Sequence, residues 1–260
     1  TTTNTFEVTD AAGLKTSCSF TVTVVDNQFP TITCPANISV NNTTGTCGAV
    51  VTYVAPVGTD NCSGATTTQT AGLASGATFP VGTTTNTFEV TDAAGLKTSC
   101  SFTVTVIDNQ APTIACPTNI TTAKTSNDGI GNCTTTVTIG NPIVSDNCTA
   151  VGSLIVTNNA PTSFPIGLTI VTWTVKDTAN NTSTCTQNVT VIDDEAPSIN
   201  CPANVQVAAS AGCTATVVLV TPTTADNCSV ASVINDAPAA FPLGNTVVTW
   251  TVKDAANNTA

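Results

Sequence analysis

The sequence predicts an all-β chain of tandem β-sandwich modules arranged as a rod, and three observations carry that prediction. Apolar residues alternate with Thr and Ser over short runs. In residues 98–106, TSCSFTVTV, the side chains of Cys100, Phe102, Val104 and Val106 share one face. Turn phrases punctuate these runs: Asn-Asn-Thr-Thr-Gly at 41–45, Pro-Val-Gly at 80–82 and Asp-Ala-Ala-Gly at 92–95. The whole pattern recurs at a spacing of roughly 80 residues, too long for a solenoid unit and long enough for a small domain with its own core. Period two with one apolar face marks antiparallel sheets packed on a core. No stretch carries helical periodicity.

Taken in order, residues 1–28 read as the C-terminal part of a truncated module, and residues 83–100 are identical to residues 1–18. Complete modules follow at 29–109 and 110–194, and a module lacking its last strand at 195–260. Each carries the same phrases in the same order: Cys-Pro-x-Asn from Cys34, Cys116 and Cys201; Asp-Asn-Cys from Asp60, Asp146 and Asp226; Phe-Pro, an apolar residue, then Gly from Phe79, Phe164 and Phe241. About seven short strands per module, with a turn after each, suggest an immunoglobulin-like sandwich. Phe88, Trp173 and Trp250 share inward parity with Val90, Val175 and Val252, so they read as core rather than as a sugar-binding face. Only about nine residues separate Val106 from Cys116, and Pro112 stiffens them, so the linkers are short.

Composition removes several classes of function. The chain has 5 Lys and no Arg against 16 acidic residues, a net charge of −11. No basic footprint is present for nucleic acid or for an anionic membrane surface. No apolar run marks a membrane insertion. With no His, a Ser-His-Asp set is excluded. Lys97 aligns with Thr182 and Thr259, so neither a Ser-Lys pair nor a Lys-Asn isopeptide bond recurs. The chain reads as no enzyme. Twelve cysteines at repeating spacings, without His and without Cys-x-x-Cys pairs, read as disulfides rather than zinc ligands. That density places the protein in an oxidising setting, secreted or displayed at the cell surface.

The ordered phrases resemble the HYR (hyalin repeat) domain: Asp-x-x-x-Pro-x-Ile-x-Cys-Pro-x-Asn from Asp26, Cys-x-Ala-x-Val from Cys47, Asp-Asn-Cys, Phe-Pro-x-Gly, Thr-Asp-Ala-Ala-Gly and Cys-x-Phe-Thr-Val-x-Val from Cys100. The resemblance covers essentially the whole chain. It implies an immunoglobulin-like sandwich of extracellular and adhesive proteins, used in long arrays and without catalysis. The module at 110–194 departs at Gln187, where the preceding copy has Phe102, and at residues 126–132, which lengthen its first turn.

Each complete module holds four cysteines: 34, 47, 62 and 100, then 116, 133, 148 and 185. On the implied sandwich the first and last strands start at the same pole, and members of the family with two cysteines keep those two. Cys34 is therefore expected to pair with Cys100, and Cys116 with Cys185. The remainder are expected as Cys47–Cys62, Cys133–Cys148 and Cys213–Cys228, although four cysteines allow three connectivities.

Of the 16 acids, 12 fall in three kinds of loop. The linkers hold Asp26, Asp108 and the run Asp193, Asp194, Glu195; the Asp-Asn-Cys loops hold Asp60, Asp146 and Asp226; the loops between the last two strands hold Asp10, Asp92, Asp177 and Asp254. These loops share one pole of a sandwich. Converging carboxylates make an oxygen-rich site for a hard cation, calcium, at each junction. The competing reading is that Asp and Asn only cap turns.

The outer faces are Thr, Ser and Asn, with sequons at Asn37, Asn42, Asn119, Asn188 and Asn257, so they suit either glycans or packing against other copies. The chain, without a single Met, fits a segment of a larger protein. Its incomplete ends fit either a continuing chain or an exchange in which residues 17–25 of one copy complete the last module of the next, with Cys18 facing Cys201. The function expected is a structural segment of a stalk, adhesin or filament that contacts other copies of itself or surface and matrix ligands. The alternatives are an adhesive array for a protein or glycan, or a spacer on a secreted enzyme. Loops of Gly, Ala, Thr and Asn favour the structural role, because binding hot spots draw on aromatics and Arg. Small-angle scattering from the chain is expected to give a maximum dimension above about 90 Å, at ~33 Å per ten-residue strand; a compact particle would exclude the rod.

Overall fold

The structure, a computed structural model, describes residues 1–124 and 133–260. The lengthened turn expected at 126–132 lies outside the described residues. The chain divides into two compact units, Thr1–Gln110 and Ala111–Ala260, each taken by itself. Apart from the 3₁₀ turn Val151–Ser153, every regular element described is a strand.

The two identical sequences fold into the same antiparallel hairpin. β1 (Thr2–Thr9) pairs with β2 (Lys15–Val22), with Phe6 opposite Cys18. Then come β3 (Ile38–Asn41), β4 (Gly48–Val50), β5 (Thr66–Ala71), β6 (Thr78–Pro80), β7 (Gly82–Thr91) and β8 (Lys97–Ile107). Phe88 of β7 stands opposite Cys100 of β8 in the same register. One sheet runs β3-β8-β7-β5, with β3 parallel to β8; the facing layer is β4 paired with β6. Between them lie Ala49, Val51 and Phe79 from one side and Phe88, Phe102, Val104 and Val106 from the other. Tyr53 seats its ring edge-on to Phe102 at 5.0 Å, and its hydroxyl donates to the Leu73 carbonyl at 2.6 Å. Phe88 is 4% exposed and Phe6, in the same local sequence, 61%. Local sequence therefore sets the hairpin, and the facing layer supplies the burial.

In the second unit β9 (Thr113–Ala115) pairs with β12 (Ile143–Ser145), and β11 (Thr134–Thr135) with β14 (Phe164–Pro165). The main sheet is β10 (Ile120–Lys124), β16 (Thr182–Ile192), β15 (Gly167–Lys176) and β13 (Ile155–Asn158), with β10 parallel to β16. The sandwich of the first unit is thus repeated. In residues 192–260 the strands are β17 (Ser198–Asn200) with β19 (Thr223–Ala225), β18 (Thr214–Ala215) with β21 (Phe241–Pro242), and β20 (Val230–Asn235) with β22 (Trp250–Asp254). Phe88 and Trp173 are core residues, while Trp250 is half-buried.

Disulfides Cys34–Cys100 and Cys116–Cys185 join the leading segment of each complete module to its last strand, across 66 and 69 residues. In the chain-entropy model a loop of that length is worth about 4 kcal/mol, a large share of a small domain's stability. Gln187 answers its departure from Phe102. It is buried between Trp173, whose Nε1 donates to Gln187 Oε1 at 3.2 Å, and Thr118, whose carbonyl accepts from Gln187 Nε2 at 2.8 Å. Where one module stacks Phe88 on Phe102, the next trades a ring for a buried amide that satisfies an indole N–H. Gln187→Leu keeps the volume and strands both partners, so denaturant unfolding is expected to show a loss of about 1–3 kcal/mol. An unchanged midpoint would show that the amide contributes nothing.

Candidate metal centre

Three chain segments converge in residues 192–260. Asp193 follows β16, Asp226 follows β19, and Asp254 ends β22. One carboxylate oxygen from each lies within 4.8 Å of the others. Asp193 and Asp254 are buried and Asp226 is half-buried.

Turn chemistry occupies only part of these carboxylates. Asp226 Oδ2 accepts from the backbone N–H of Cys228 at 2.9 Å and of Ser229 at 2.7 Å, while its buried Oδ1 meets no donor. Asp254 Oδ1 accepts from the Asn258 backbone N–H, and Oδ2 from Asn258 Nδ2, both at 2.7 Å. Asn258 Nδ2 also reaches the Asp193 carbonyl at 3.2 Å, and Asn227 Nδ2 lies 3.4 Å from Asp193 Oδ1. The ion pairs Lys15–Glu7 and Lys97–Glu89 involve none of these three acids. Three clustered carboxylates in a buried setting repel one another strongly without a counter-charge.

The same turns recur elsewhere. Asp146 Oδ2 accepts from Cys148 and Thr149 at 2.8 and 2.7 Å, and its buried Oδ1 likewise meets no donor. Asp177 Oδ1 takes the Asn181 backbone N–H at 2.7 Å and Oδ2 takes Asn181 Nδ2 at 2.8 Å. Asp108, in the first unit, is buried and caps the Gln110 N–H at 3.1 Å. In the first unit Asp26 and Asp60 converge with the Cys62 thiol instead of with Asp92. Asp60 Oδ2 takes the Cys62 N–H at 2.8 Å. A hydrogen bond to Asp26, then desolvation, then the charges of Asp26, Asp60 and Asp92 push the Cys62 thiol above its usual pKa. A protonated thiol is a poor hard-cation ligand. Asp92 caps the Leu96 N–H at 2.8 Å and leaves a buried Oδ2 without a donor. Its fourth following residue is Leu, where Asp177 and Asp254 have Asn181 and Asn258. The Asp-x-x-x-Asn spacing is the signal that would have found those two amides.

The remaining cysteines correct the expected pairing. Cys133 is bonded to Cys228, not to Cys148, and Cys228 not to Cys213; the Cα–Cα distance is 4.6 Å. Cys47 and Cys62 are exposed thiols and are not joined to each other, and Cys213 is likewise exposed and unbonded. The reason is placement. Cys133 leads into β11, and the structure sets it beside the Asp-Asn-Cys turn of the following module rather than its own. Of the sequons, Asn42 is buried, with Nδ2 donating to the Thr46 carbonyl at 3.0 Å.

Comparison with known proteins places these features. The HYR domain model matches residues 25–106, 107–191 and 192–260. The chain is 34% identical to Hyalin of Strongylocentrotus purpuratus over 273 residues, covering 100% of the chain and 22% of that protein. It is 30% identical to Hyalin of Lytechinus variegatus over 267 residues, covering 98% of the chain and 50% of that protein. The chain thus spans half or less of the length of these relatives. Among solved structures, the Protocadherin GammaB4 extracellular domain aligns over 99% of the chain and 58% of that domain, at 12% identity and a TM-score of 0.37. Among the described residues no helix is long and apolar enough to cross a membrane.

Proposed function

This chain belongs to the HYR domain family, and on that premise we propose that it is a non-catalytic structural segment of an extracellular stalk, adhesin or filament. The observation that carries this reading is the self-contained repeat. Each complete module closes its leading segment to its last strand through its own disulfide and core, so function scales with the number of modules. Loops rich in Gly, Ala, Thr and Asn, in a chain with no Arg, support length and spacing over recognition. Gold-labelled antibody against the chain, viewed on native material by electron microscopy, is expected to decorate fibres, stalks or a surface layer outside cells. Label confined inside cells would overturn the reading. Label at isolated contacts with a second protein or glycan would favour an adhesive array.

The same reading gives the acids a role. A calcium ion held by Asp193, Asp226 and Asp254 offsets two of their three charges and ties a linker to two loops of the following module. The Asp226 Oδ1 that meets no donor supports this, because it leaves an oxygen free beyond what the turn needs. Turn capping and cation binding then use different oxygens of one side chain. Calcium at about 100 times its dissociation constant is expected to stabilise the fold by roughly 2.7 kcal/mol, raising Tm, with reversal by a chelator. Asp226→Asn keeps an oxygen for the turn and removes the charge, so its melting is expected to lose the calcium dependence. Identical Tm for the unmodified chain with millimolar calcium and with chelator would leave turn chemistry alone.

A further inference from the structure

Two disulfides of the second unit interleave along the chain. Cys116 bonds to Cys185 within the repeat at 107–191, while Cys133 bonds across to Cys228 in the repeat at 192–260. Cys133 lies inside the loop that the first bond closes, and Cys228 lies beyond it. Two covalent routes therefore lead from Cys116 to Cys228. One follows the chain to Cys133 and crosses its disulfide, about 17 residues of backbone and roughly 60 Å when fully extended. The other crosses to Cys185 and follows the chain past Asp193, about 43 residues and roughly 150 Å. A pull along the chain falls on the route that tightens first. The route through Cys133 is taut while the other still has roughly 90 Å of slack.

We propose that Cys133–Cys228 is a mechanical staple: it carries tension from one repeat into the next and leaves the peptide linker between them slack. The proposal rests on the reading of the chain as a segment of a stalk or filament, where tension is the working condition. The staple changes which strand is pulled. Without it, load entering at Cys116 crosses to Cys185 and runs along the rest of β16, the strand paired on both sides by β10 and β15. That stretch holds the core residues Val189 and Val191. With the staple, β10 is the single strand of the main sheet on the loaded route, and Cys116–Cys185 anchors the chain just ahead of it. Phe164, Val171, Trp173, Val189 and Val191 all fall in the bypassed stretch 134–227. The bond that joins the repeats thereby takes the pull off the strands that build the core.

Single-molecule stretching of the whole oxidised chain, held at its two ends, tests this. Length at full extension depends on covalent connections alone, so a variant with a weaker fold still reports it. The double variant Cys133→Ser/Cys228→Ser is expected to extend roughly 90 Å further than the unmodified chain, because its load must take the route through Cys185 and the linker. The double variant Cys116→Ser/Cys185→Ser is expected to reach the unmodified length, because the bond it lacks is off the loaded route. Pairing confined within repeats predicts the reverse, with the second variant longer and the first unchanged. Reductant is expected to bring all three to one length of roughly 900 Å. A first variant no longer than the unmodified chain, or a lengthened second variant, would overturn the proposal. Either result leaves the immunogold location of the native material, and with it the stalk or filament reading, as it stands.

Discussion

Each complete module is organised by the adjacency of its last strand to the strand that follows its first cysteine. β3 runs parallel to β8, and β10 to β16, and in each case a disulfide fastens the segment just ahead of the first strand to the last. The outermost ends of the chain within one module are thereby brought to a common edge. A parallel neighbour pair of that kind needs the whole intervening chain as its crossover, so the module closes as a unit and not by local hairpins alone. The bond also removes the large loop entropy that a pairing across some 66 residues would otherwise oppose. In residues 192–260, where Cys201 is unbonded and the strands described pair only two by two, the linker, the Asp-Asn-Cys loop and the end of β22 still bring their aspartates together.

Much of this is legible in the residues, because alternation and turn chemistry are local. The identical stretches at 1–18 and 83–100 form one hairpin in one register, Phe6 to Cys18 and Phe88 to Cys100, although one is exposed and the other buried. The pairing of first with fourth cysteine, which the family resemblance implies, is the one the structure shows. The second and third cysteines are different. A spacing of 15 residues occurs in every copy, so the sequence looks the same whether a cysteine bonds within its module or to the equivalent position one module on. Only the pole at which each lies separates the two cases. The third cysteine sits in the loop nearest its linker, whereas the second leads into the facing layer, and the structure sets Cys133 beside the following module's Cys228.

The acids show a further limit of the same kind. Clustering in three loops predicts where carboxylates converge, but not which oxygen does what. The structure divides the labour: Asp226 Oδ2 builds its turn, while Oδ1 is buried among other acids with no donor. Capping and cation binding looked like rival readings because both begin from the same residue type. At the level of single oxygens they are compatible, and the cap is what aims the second oxygen. The first unit marks the boundary of the pattern. There Leu96 replaces the amide that Asn181 and Asn258 supply, and Asp26 meets the Cys62 thiol, whose pKa a hydrogen bond to that carboxylate, then desolvation and the surrounding charges push up. A soft thiol is a poorer ligand for a hard cation than a carboxylate. Disulfide and carboxylate positions in this repeat are thus coupled through one turn, in which the residue that caps the cysteine N–H is the residue that contributes the acid.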